Sequence, residues 1–546
     1  MRQTPNSERQ PVKIAGGSTF GRYPKISSAK TYNMFVSDNW LINTGGYQRI
    51  YDLLPQSTTN TGAQGRALFN SIRGDILLAV TGASVFSIDT NLNPTLIGTL
   101  ATERGAVFID ENLNSQICIV DGVNAYIYNY SLPSPNLTVQ SVSSLIPNYV
   151  CYHNTYFLFG NNDRTTNGAA WYAYQYDTAT TITESTPGQF ALQTKPDFAL
   201  AIVRLPSQSA NVLVFGSTVC EIWTQVGGLQ NYRRNSTVSV DYGCLAVDTI
   251  SYSDRLIMWL AVSEKDAAII MAYTGQGFEQ LSTDGIDYQL SQLQYPSEAT
   301  AMFFRQDGHL FYQLTFYNPA DNLTILYDVN TKMFLNLSDA NLNYHPAREY
   351  AFFNNELYFI SVNNASLYQS STNFTTYNEN LPTITQDPTK NLEIPRIRIC
   401  DTVRAEDSGQ FRANTFSFTI EQGTDEAVSG LSLLNNVDYI VTEDAFVFPN
   451  VMILTEYGIP IVDEDSGAGV GAGDLPPPYQ PRVDLSISRD GGYTWSNTVA
   501  RNLNAVGYRQ NILNWDNLGM SNSLTIKVRF WGMSRFIAIN GYIEGY

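Results

Sequence analysis

From about residue 61 the apolar positions fall into a recurring rhythm. An alternating apolar run leads into a turn and then a second apolar run, often closed by aromatics. The instances are DILLAVTGASVFSID (75–89), QICIVDGVNAYIYNY (116–130), TYFLFGNNDRTTNGAAWYAY (155–174), NVLVFGSTVCEIWTQVG (211–227), RLIMWLAVSEKDAAIIMAYTG (255–275), HLFYQLTFYNPADNLTILYDV (309–329) and ELYFISVNNASLYQ (356–369). Their starts lie roughly 40 to 55 residues apart, with room for two further strands per repeat, the period expected of β-propeller blades. Turns such as Val-Thr-Gly-Ala, Val-Asp-Gly-Val and Val-Asn-Asn-Ala suit tight hairpins. A β-sandwich with irregular hairpins is the competing reading. The sustained spacing favours an all-β chain with a six- or seven-bladed propeller over 61–395.

The flanks read differently. Residues 1–60 form an N-terminal arm, broken by AGGSTFGRYP and NTGGYQR, and expected to pair with the C-terminal module. After about residue 395 the runs lengthen: IPRIRICDTVRA, FRANTFSFTIEQG (411–423), VDLSISRDGGYTW, SLTIKVRFWG and RFIAINGYIEGY. They predict a β-rich platform over 396–546. An acidic, Gly/Pro-rich loop near 461–481 interrupts it.

Composition narrows the classes. Of 546 residues, 43% are hydrophobic and 15% charged, with 34 Tyr and 27 Phe. That is enough apolar material for a core, and the palette suits strands. The net charge of −18 argues against a nucleic-acid reader, which needs a basic patch. It is compatible with plain solubility, or with a wall past which DNA slides without adhering. Cys118, Cys151, Cys220, Cys244 and Cys400 lie far apart with no C-x-x-C, so buried free thiols are expected. The start, MRQTPNSERQPVK, has no apolar segment of a signal peptide, and the longest apolar run, RLIMWLAV, is too short for a membrane span. The N-x-S/T triplets at Asn136, Asn235, Asn322 and Asn364 therefore carry little weight.

Candidate chemistry is sparse. GAGVGAGD (467–474) lacks the flanking strand, the helix and the G-K-[ST] of a phosphate loop, and reads as a loop. His153, His309 and His345 fall in different repeats, so no metal-ligand spacing appears and no cofactor is expected. Carboxylates are too many for counting to exclude a glycosidase pair. One motif stands out: Ser488, Asp490, Gly492, Thr494 and Trp495 fit the Asp box S-x-D-x-G-x-T-W, known from glycan-cleaving propellers. It occurs once in full, outside the repeats, and its nearest echo, STDGIDY (282–288), lacks the Thr-Trp end. A turn of Asp490-Gly491-Gly492, stapled by Ser488 and Thr494 and plugged by Trp495, needs no substrate. No catalytic residue is assigned, and an enzyme is not expected.

Three stretches together resemble one family, the tail-hub or nozzle proteins of short-tailed phages (packaged-DNA stabilisation proteins). They are YNMFVSDNWLINTGGYQRIYDL (32–53); VLVFGSTVCEIWTQVG (212–227), with Phe215, Gly216, Ser217, Glu221 and Trp223, followed by DYGCLA; and PRVDLSISRDGGYTWSN followed by Arg509, Trp515, Leu518 and Gly519. Residues 424–478 look like an insertion, and MSNSL stands where the family often has arginine after Leu-Gly. The resemblance implies a structural virion protein of the tail, assembled in the host cytoplasm. It implies a homo-oligomer, a hexamer, below the portal–adaptor ring and above needle or fibre proteins. That ring would retain packaged double-stranded DNA, without sequence-specific binding, and conduct it at infection. A propeller-type glycan-binding or glycan-cleaving tail protein is the alternative.

Overall fold

The computed structural model describes residues 8–20, 29–54, 63–422 and 482–545, apart from 134, 141–144, 164–167, 176–187, 207, 228–230, 254, 266, 383–386, 405–408, 504–509 and 533–534. The loop at 461–481, with GAGVGAGD, and Arg509 lie outside these residues. The chain divides into two compact units: Arg49–Asn330 with Asn343–Ser370, and Met1–Gln48 with Thr331–Leu342 and Ser371–Tyr546.

The first unit is a β-propeller. Its blades begin with inner strands Gly65–Ser71, Phe108–Glu111, Pro147–His153, Ala201–Arg204, Ser251–Tyr252, Thr300–Gln306 and Ala347–Phe353, numbered here as blades 1 to 7. Seven is the upper end of the expected six or seven. Each apolar run of the sequence is the second and third strand of one blade, as in Ile76–Thr81 with Ser84–Ile88 and Gln116–Val120 with Ala125–Asn129. These middle strands are covered on both faces. QICIV, AYIYN and IIMAY are buried at every position, so they read as continuous apolar runs. Apolar wedges fill the gaps between neighbouring blades. Leu158, Trp171 and Phe190 of blade 3, for example, pack on Ile202, Val214 and Trp223 of blade 4. All five cysteines are buried.

Blade 7 meets blade 1 and closes the ring. The N–H of Gly65 in blade 1 donates to Asn364 O in blade 7 (3.2 Å). Leu77, Phe86 and Ile88 share one core with Phe353, Ile360 and Leu367. One departure from an all-β reading is the helix Asp284–Ser291. It accounts for STDGIDY: Thr283 precedes the helix and Asp284 and Asp287 fill its first turn, near the positive end of the helix dipole. The echo of an Asp box is a helix start.

The second unit packs two sheets on one core. In one sheet Phe411–Gln422 pairs with Gln510–Ser521, Phe536–Ala538 and Gly541–Gly545, and Glu8–Val12 pairs with Gly541–Gly545. In the other, Ser523–Trp531 lies between Arg396–Ile399 and Arg482–Ser488, and Lys30–Tyr32 adds to Arg396–Ile399. Phe416, Phe418, Trp515, Leu485, Ile526 and Phe530 belong to the shared core. Arg396 and Arg398 are fully buried within it. Arg398 donates to Gly17 O (2.8 Å), Lys13 O (3.0 Å) and Thr31 Oγ1 (2.8 Å), which meets the requirement that a buried guanidinium be hydrogen-bonded.

Candidate functional site

The inner strands of all seven blades contribute to an axial cavity of about 590 Å³. A propeller makes such a site by default, because inner strands converge while their side chains must share a narrowing space. Here the lining is mixed. Blade 2 supplies Asp110, blade 5 Tyr252 with the preceding Asp248, blade 6 Phe303, and blade 7 Arg348, Glu349 and Phe352.

Most charges at the wall are already matched. Arg204 Nη2 lies 3.3 Å from Asp110 Oδ2 and donates to the Tyr252 hydroxyl (3.0 Å). Asp110 also accepts the N–H groups of Tyr152 (2.7 Å) and Glu111 (2.9 Å). Burial raises its carboxyl above the ordinary range, and Arg204 and these donors offset part of the rise. Arg348 Nη2 binds Asp248 Oδ2 at 2.6 Å. Arg66 spends its guanidinium on carbonyls, among them Gly82 O (2.9 Å), Thr102 O (2.6 Å) and Gly105 O (2.9 Å). Glu349 accepts the N–H of Leu68 (2.8 Å), a bond from blade 1 to blade 7. Burial pushes its carboxyl up to about 8, so near neutral pH it holds a proton and acts as a neutral donor and acceptor.

The histidines stay in their separate blades. His153 bonds Tyr232 (2.8 Å) and Ser209 O (2.9 Å), and His309 bonds Asp328 (2.8 Å). His345 is buried, and burial pushes its imidazole down to about 3. Among the described residues, no group of three His, Cys, Asp or Glu side chains is placed to hold a metal. No helix among them is long and apolar enough to cross a membrane.

The Asp box lies in the second unit. Asp490 accepts the Ser488 hydroxyl (2.6 Å), the Thr494 hydroxyl (2.5 Å) and the N–H groups of Tyr493 and Thr494 (3.0 Å each). The N–H of Gly492 donates to Ser488 Oγ (2.8 Å), and Gly491 and Gly492 have φ of 78° and 98°, where glycine is strongly favoured. These bonds hold the Asp490 carboxyl well below the usual carboxylate range. Trp495 is half-buried, with Lys527 Nζ 4.4 Å above its ring. The oxygens of Asp490 are therefore committed to the turn itself.

The central motif of the propeller is likewise a joint. Glu221 is fully buried and accepts the N–H groups of Gln193 (2.9 Å) and Thr194 (2.6 Å), the Thr194 hydroxyl (2.6 Å) and Trp223 Nε1 (3.0 Å). Asp197 accepts the N–H groups of Ser217 (3.0 Å), Thr218 (2.7 Å) and Val219 (3.2 Å). Gly216 is required because a Cβ there would stand 2.5 Å from Asp197 Oδ2. The axial cavity itself escaped the sequence reading. Its polar residues are scattered from Arg66 to Glu349, and their only signal is polarity within the inner strands.

Solved structures of similar shape include a streptogramin B lyase (10% identity, 60% of this chain and 98% of that chain, TM-score 0.40). Others are a virginiamycin B lyase from Staphylococcus aureus with quinupristin (10%, 60% and 98%, TM-score 0.39) and the Pan2 WD40 domain of Neurospora crassa (7%, 63% and 98%, TM-score 0.40). No curated protein matches the chain. Residues 14–374, more than half of the chain, match the family described as "Bacteriophage P22 Gp10, beta-propeller". The match spans two of the three sequence stretches, at 32–53 and 212–227, and the chain belongs to this family of phage packaged-DNA stabilisation proteins of the tail hub.

Proposed function

We propose that this phage tail protein is a non-enzymatic ring component. Several copies, six by family resemblance, sit below the portal and its adaptor, close the channel after packaging and conduct DNA at infection. Needle or fibre proteins attach at the distal side, and the ring joins the virion in the host cytoplasm. The family membership carries this reading. The axial cavity adds a steric argument: at about 590 Å³ it has the size of a small-molecule site. A duplex cannot thread one propeller, so a DNA passage requires a lumen shared by copies. The net charge of −18 suits a wall that repels the phosphate backbone. Against catalysis, the carboxylates at the cavity are engaged: Asp110 with Arg204, Asp248 with Arg348, Glu349 with a backbone N–H.

The test adds purified protein to DNA-filled particles that carry portal and adaptor but lack this chain. Protection of the packaged DNA from nuclease, with ring density below the adaptor by electron microscopy, is the expected result. A chain that stays monomeric by light scattering and never joins such particles would overturn the proposal. So would reproducible glycan turnover abolished by one carboxylate substitution.

A further inference from the structure

We propose that the axial cavity of the propeller binds a neutral, hydroxyl-rich ligand, a mono- or disaccharide unit, through an aromatic wall and a charge-balanced polar floor. The inference is independent of the ring reading and rests on the cavity alone.

Size comes first. About 590 Å³ falls within the range of roughly 300–1,000 Å³ typical of small-ligand pockets. The second observation is an apolar surface that water reaches. Tyr252 is 48% exposed and Phe352 59% exposed, yet both line the cavity. Half-buried Phe303 adjoins them in the same lining. Flat aromatic faces beside polar groups suit a ligand with one apolar face and a rim of hydroxyls.

The third observation is charge. Asp110 is matched by Arg204 and Asp248 by Arg348, while Arg66 is held by carbonyls. Glu349 is neutral near pH 7. An anion would need a free cation, and a cation would need a free carboxylate. Hydroxyls, which donate and accept, match a lining that offers both without net demand.

The test is ligand-observed saturation-transfer NMR and titration calorimetry on the full chain. The panel holds neutral mono- and disaccharides, an acidic sugar and inorganic phosphate. At least one neutral saccharide is expected to bind, and Tyr252→Ala and Phe352→Ala each to weaken it about tenfold or more, Phe352→Ala with the melting temperature unchanged. Phe352 is accessible, so its truncation leaves the blade cores intact, whereas Tyr252→Ala also removes the acceptor of Arg204 Nη2. The proposal is overturned by any of three outcomes: no neutral saccharide binds; phosphate or the acidic sugar displaces the bound one; or both variants bind as wild type. A chain that binds a saccharide but never joins portal–adaptor particles would keep this inference and sink the ring.

Discussion

Glu349 joins the first and last blades through a group that titrates near neutral pH, and its substitution gives a sharp test of the cavity's physics. Its carboxyl lies at about 8, against 4.5 for the free group. Each unit is worth about 1.4 kcal/mol, so the full shift has a ceiling of about 5 kcal/mol. The sign follows from proton counting. Between about 4.5 and 8 the folded chain holds a proton that the unfolded chain has released. Stability therefore falls as pH rises through this window and is fully reduced above about 8. Glu349→Gln removes the titration but keeps an oxygen for the Leu68 N–H.

The variant is thus expected to match wild type near pH 5 and to exceed it by up to about 5 kcal/mol at pH 9. At about 2.1 cal/mol/K per residue over a unit of roughly 300 residues, the melting temperatures should separate by up to about 8 °C. Differential scanning calorimetry of both proteins from pH 5 to 9 reads this directly. Asp248 and Asp110, also raised by burial, tilt the wild-type curve the same way, and His345, pushed down to about 3, tilts it the other way. To first order these contributions are shared by both proteins and cancel in the difference. A gap that does not grow with pH, or a variant less stable at pH 9, would refute the reasoning.

Three further outcomes follow from the joints. Glu221→Ala strands Gln193, Thr194 and Trp223 donors in the core and should cost about 3–5 kcal/mol by chemical denaturation; a loss under 1 kcal/mol contradicts the joint. Gly243→Ala places a Cβ 2.2 Å from the carbonyl carbon of Ser217, so a loss of about 3 kcal/mol is expected, read by the same titration. Asp490→Ala should speed tryptic cleavage after Arg489 and abolish no catalysis. Because its carboxyl is depressed, the wild-type turn should loosen only as pH falls below the ordinary carboxylate range, read as faster amide exchange at Tyr493 and Thr494. Equal cleavage rates at neutral pH would sink this reading of the hairpin.

The propeller was legible because its middle strands are buried on both faces, which concentrates hydrophobic residues into runs such as QICIV and IIMAY. Inner strands mix polar with apolar positions, as in FIDE, and outer ones, such as PTLIGT, are at least partly exposed throughout. Neither leaves a strong period, so each blade announced two strands of its set. The short helix at Asp284 was hidden for a related reason. Its Thr-Asp-Gly start reads equally as a turn, and eight residues are too few for a helical period to emerge.

The cavity was illegible for a different reason. Asp110 meets Arg204 across 94 positions and Asp248 meets Arg348 across 100, so their pairing exists only once the ring closes. The stretches that carried the family resemblance are local or span short hairpins. Glu221 and Trp223 bond within one strand. In the second unit Arg489, inside the Asp box, donates to Leu518 O (2.7 Å), and Ser523 Oγ donates back to Arg489 O (3.0 Å). The box and the Trp515–Gly519 segment are thus two halves of one contact, with Trp515 stacked on Phe418 at 5.8 Å beneath it. Such pinned turns tolerate few side chains, so they stand out in a sequence whatever the protein does. They identify the architecture, and the residues able to meet a ligand must be sought where the ring brings distant strands together.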